Sequence, residues 1–157
     1  MDPLQRFVRK YVWSDDKTPY LIKVGRLTRR QARNELFAFS VLIAAFFFMV
    51  GMAALLGASI VADSVGVAVY AFAICSAAIA LAATQHPFAA IACATAPPAV
   101  LVYLLIIGFP PQLHTSDKLL IGGILLALWA YTARVVRITR VYPYLAEGEA
   151  PTPKWPL

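Results

Sequence analysis

Four uninterrupted apolar stretches, residues 36–56, 65–83, 88–109 and 119–133, set the rhythm of the chain, and none of its carboxylates falls inside them. At 1.5 Å of rise per residue the first is roughly 31 Å long, the thickness of a bilayer's hydrocarbon core. Apolar runs of this length predict four transmembrane helices, and so an all-α, polytopic membrane protein.

The polar flanks carry a different pattern. Asp2 and Pro3 read as an N-cap and a first helical residue, after which Leu4, Phe7, Val8, Tyr11 and Val12 recur on one helical face while Arg6, Arg9 and Lys10 take the others. This predicts a short basic amphipathic helix ending near Trp13, placed to lie among lipid headgroups or to pack on a partner through Arg6, Phe7, Arg9 and Lys10. The alternative is a helix folded back on the chain's own cytoplasmic surface, since so short a helix gains little from lipid alone. Residues 14–19 read as a turn, and 20–24 are expected to be extended up to Gly25. Thr28 followed three residues later by Gln31 resembles a capping box, so the first long helix is expected to start near Arg29 and enter its apolar stretch unbroken. The chain thus divides into a cytoplasmic basic segment with the amphipathic helix (1–35), a four-helix transmembrane domain (36–138) and a Pro-rich cytoplasmic tail (139–157).

Composition agrees with this reading. Hydrophobic residues make up 61% of the chain and charged ones 14%, against about a quarter charged in a soluble domain. Of the 14 Lys and Arg, nine precede the first stretch, four follow the last, and only Lys118 lies between. The positive-inside rule therefore puts both termini in the cytoplasm. The net charge of +6 is accounted for by residues flanking membrane spans, which fits anionic headgroups and not a nucleic acid partner. Arg29, Arg30 and Arg33 oppose the dipole of the helix they open, and so suit lipid phosphates or a partner's carboxylates better than they suit helix stability. Alanine-rich spans and nine Arg against five Lys point to a GC-rich bacterial genome, hence to the bacterial inner membrane.

Within the spans, Ala73 with Ala77 and Ala78 with Ala82 are small-xxx-small pairs, which predict close helix packing. Pro97 and Pro98 remove two backbone donors near the middle of the third span and predict a kink, with Thr95 available to a freed carbonyl. The fourth span is short and can still cross if Arg134 and Arg137 extend toward the cytoplasmic headgroups.

Candidate chemistry is sparse. His86 and His114 fall on opposite sides of the membrane and share no metal ion; Cys75 and Cys93 have no charged neighbour in sequence to activate them. No titratable group sits at the midplane, where a coupled carrier needs one, and no nucleophile, base and orienting group converge. The expectation is a non-enzymatic accessory or assembly subunit docking on a larger inner-membrane complex, with no cofactor, metal or catalytic residue, its partners being membrane lipids and other membrane subunits. A small homo-oligomeric channel or carrier, its path near the Pro97–Pro98 kink, is the alternative.

Overall fold

The computed structural model describes residues 24–57, 65–109 and 113–146. The expected N-terminal amphipathic helix and most of the Pro-rich tail lie outside the described residues. Within them the chain is helical with no strand, and four of its helical segments are long and apolar enough to span a membrane.

Helix α1 runs Arg29–Leu55. The capping box is formed: Gln31 N–H donates to Thr28 Oγ1 at 3.3 Å, and Thr28 N–H donates to Gln31 Oε1 at 3.0 Å, so two otherwise orphaned donors are satisfied. Before it, Val24–Arg26 makes a 3₁₀ turn, so Val24 is not in the extended piece expected there. Helix α1 stops at Gly57, whose φ of +65° is open to glycine without strain. Helix α2 spans Val65–Thr84. It ends on Gln85, which takes the left-handed position (φ +52°) and closes the helix through N–H to Leu81 O at 3.0 Å and Nε2 to Ala82 O at 2.8 Å.

The third span is two helices, α3 (Pro87–Ala94) and α4 (Ala96–Ile107), parted at Thr95. The break puts Pro97 and Pro98 in the first turn of α4, where a missing N–H has no intrahelical partner to lose. Thr95 Oγ1 donates to Ala92 O at 2.7 Å and lies 3.0 Å from Tyr70 Oη of α2, tying the break to its neighbour. Helix α5 spans Thr115–Val141 and leads into a 3₁₀ turn, Tyr142–Tyr144. Its helical conformation thus runs well past the apolar stretch that ends at residue 133.

The spans run up and down, and the core gathers at the end that carries the chain's flanks. Leu36, Phe39, Ile43 and Phe47 of α1, Ala71, Ile74, Ala78 and Leu81 of α2, Ala90 and Cys93 of α3, and Val135 and Ile138 of α5 form one buried cluster. Their spacings of three and four residues are those of a single helical face. Helices α1 and α2 stay in contact along their length: a Cβ built on Gly51 would lie 3.0 Å from the Phe72 ring. The far halves of the other two helices are different. No residue of α4 beyond Pro97 is buried, and none of α5 before Thr132.

Candidate functional site

The strongest concentration of polar chemistry lies between α1 and α5. Glu35, on the buried face of α1, has a relative exposure of 2%. Arg134 Nε donates to its Oε1 at 2.7 Å and Nη2 to its Oε2 at 3.2 Å, a two-pronged ion pair, and Tyr131 Oη donates to the same Oε1 at 2.9 Å. Tyr131 and Arg134 are one turn apart on α5 and so share a face. Phe39, one turn beyond Glu35, meets the Tyr131 ring with centroids 5.9 Å apart, which walls the pair on its apolar side.

A second set of contacts closes the same end. Arg29 N–H donates to Ala146 O at 3.0 Å, Arg29 Nη2 to Pro143 O at 3.4 Å, and the guanidinium carbon stands 5.6 Å from the Tyr142 ring centroid. Leu27 and Leu145 are buried beneath this clasp. The two ends of the described chain thus meet at one end of the bundle.

The structure separates the residues singled out in the sequence. Arg6, Phe7, Arg9 and Lys10 lie outside the described residues. Arg29 is held in the clasp, whereas Arg30 and Arg33 are exposed. On α2, Ala78 is completely buried, Ala77 and Ala82 are half-buried, and Ala73 is exposed. Pro97 is buried and Pro98 half-buried at the α3–α4 break. His86 caps α3, its Nδ1 accepting from Phe88 N–H at 3.4 Å, while His114 N–H donates to Asp117 Oδ2 at 3.1 Å in the first turn of α5. Cys75 and Cys93 are free thiols, half-buried and buried. Among the described residues no three His, Cys, Asp or Glu side chains come together to hold a metal ion.

The Glu35–Arg134 pair is the feature that sequence reasoning missed, since it left every carboxylate outside the apolar stretches and turned Arg134 outward. One signal was present. Glu35 stands six residues into α1 and Arg134 seven residues before the end of α5, so in antiparallel helices the opposite charges share a depth of roughly 10 Å. Chemically the pair is a neutralised clamp: each carboxylate oxygen accepts a guanidinium donor, and Oε1 also accepts from the Tyr131 phenol.

No protein-family model, curated protein or solved structure matches this chain. The functional reading therefore rests on the chain's own geometry.

Proposed function

We propose that this chain is a non-enzymatic, multi-pass subunit of the bacterial inner membrane, with both termini cytoplasmic, that docks on a larger membrane-protein complex through α5. The observation that carries this reading is the exposed far half of that helix. None of its residues before Thr132 is buried, whereas the buried residues of α1 run from Gln31 to Ala54, although both are long apolar helices of one bundle. Gly123, Ala127 and Ala130 follow one another at intervals of four and three residues along its exposed side, and a Cβ at Gly123 would meet nothing within 4 Å. Small residues on an open apolar face let a partner helix approach closely, where dispersion and not water exclusion drives association.

Two polar pairs between helices support a structural role over a transport one. Glu35, a carboxylate deep in the bundle, is matched by Arg134, and the hydroxyls of Tyr70 and Thr95 at the helix break face each other. A channel or carrier near Pro97 and Pro98 would have to line its path with groups that already have partners.

Extraction of the full chain from its native membrane in mild detergent, followed by native mass measurement, tests the proposal. A fixed ratio of this chain to foreign subunits is the expected result. A monomer, or an oligomer of this chain alone, would refute it and in the second case favour the channel. Orientation is tested separately: alkaline phosphatase fused after Leu157 should be inactive, and an active fusion would place the tail outside.

A further inference from the structure

We propose that the outward face of the first two turns of α1 binds an anionic phospholipid, its phosphate held by Arg30, Arg33 and Asn34 and one acyl chain lying along Phe37 and Val41. The inference rests on the membrane reading above, but not on docking through α5. All five residues are exposed, Phe37 at 57% and Val41 at 50%. Their spacing puts them on one strip of the helix, cations first and apolar groups one turn deeper.

The arginines are placed where an anion is needed. Arg30 and Arg33 repel each other at three residues' separation, and both stand at the positive end of the helix macrodipole. The first turn of α1 has no acidic residue. The nearest carboxylate in sequence, Glu35, is turned inward to Arg134, and among the described residues neither Arg30 nor Arg33 takes part in an ion pair. Arg29 differs from both, because the carbonyl of Pro143 and the ring of Tyr142 already engage it. The apolar continuation selects the ligand class. A free phosphate or a nucleic acid would satisfy the arginines and leave Phe37 and Val41 untouched, whereas a phospholipid matches both ends of the strip.

The test is a lipid titration of the purified full chain in detergent, read by native mass spectrometry, comparing phosphatidylglycerol with phosphatidylcholine of identical acyl chains. The wild-type chain should prefer phosphatidylglycerol by about tenfold at low ionic strength. R30Q/R33Q should abolish that preference, while R137Q/R140Q, an equal loss of charge on exposed positions of α5, should keep it. No preference in the wild type, or an unchanged one in R30Q/R33Q with a native circular dichroism spectrum, overturns the proposal. So does displacement of the lipid by millimolar inorganic phosphate, which would make the acyl chain irrelevant. Glu147 and Glu149 follow Ala146, whose carbonyl accepts from Arg29 N–H. If E147Q/E149Q raises phosphatidylglycerol affinity more than about fivefold, the tail is the resident anion and the proposal fails; unchanged affinity supports it. Release of the chain from membranes by alkaline carbonate would instead overturn the membrane reading itself.

Discussion

Replacing Glu35 by alanine should cost this bundle more than truncating any of its exposed arginines, and the structure sets the size. The variant removes the acceptor of two guanidinium donors at 2.7 and 3.2 Å and of the Tyr131 hydroxyl at 2.9 Å. Breaking a buried ion pair by deleting one partner costs about 3–5 kcal/mol, mostly because the remaining charge is stranded. The side chain of Arg134 keeps a relative exposure of 21% and that of Glu35 only 1%, so the two truncations are unequal. Glu35→Ala falls near the low end, about 3 kcal/mol, since the guanidinium can recover some solvation, and Arg134→Ala falls near the high end. Glu35→Gln keeps an acceptor for one donor and should cost about 1–2 kcal/mol. The double variant Glu35→Leu/Arg134→Leu removes both charges and fills the space with apolar groups, so it should return to within about 1 kcal/mol of wild type. Equilibrium unfolding in mixed micelles, followed by far-ultraviolet circular dichroism, gives all four values, and the single variants Glu35→Leu and Arg134→Leu close the cycle that yields the coupling energy of the pair. Single variants each costing under about 0.5 kcal/mol, or a double variant whose cost is their sum, would refute the clamp.

Smaller perturbations probe the remaining architecture in the same assay. Gly51→Ala should destabilise by about 1–3 kcal/mol, because its Cβ would press on the Phe72 ring at 3.0–3.3 Å, whereas Gly122→Ala, with open space at the Cβ, should be neutral or stabilising. Gln85→Val forces a β-branched residue into a left-handed position (φ +52°) and should cost about 1–3 kcal/mol, while Gln85→Gly should cost little. Ser40→Ala deletes a buried hydroxyl that has no hydrogen-bond partner and should leave stability unchanged or raise it by about 1 kcal/mol; a loss above that would mean the hydroxyl is satisfied.

The elements of this fold were legible because their signals are local. Thr28 and Gln31 announce the start of α1 through side-chain chemistry that needs only three residues of separation, and the capping box forms as spaced. The four apolar stretches mark four helices by length alone. The burial of Glu35 was not legible in the same way. A carboxylate at the edge of an apolar run reads as solvent-exposed until the partner that neutralises it, 99 residues on, is brought opposite by the packing of α1 and α5. Arg134 illustrates the converse error. A long basic side chain at the end of a short span is expected to reach outward, but the helix continues to Val141 and the side chain turns in to its counter-charge. The small residues of α2 show a third limit: spacing identifies Ala73, Ala77, Ala78 and Ala82 as a set, but which of them faces a neighbour depends on the rotation of the helix, and only Ala78 is fully buried.

The docking of α5 is tested most directly by quantitative mass spectrometry of the complex purified from native membranes, comparing the wild-type chain with G123L/A127L and with a control pair, M49L/V69L, on exposed sites of α1 and α2. A Cβ at Gly123 meets open space and Ala127 is exposed, so added bulk there should leave the bundle folded while holding a partner helix away. G123L/A127L should lose its foreign subunits, and M49L/V69L should retain them in the wild-type ratio. Full retention by G123L/A127L, or equal loss from both pairs, would contradict docking through α5.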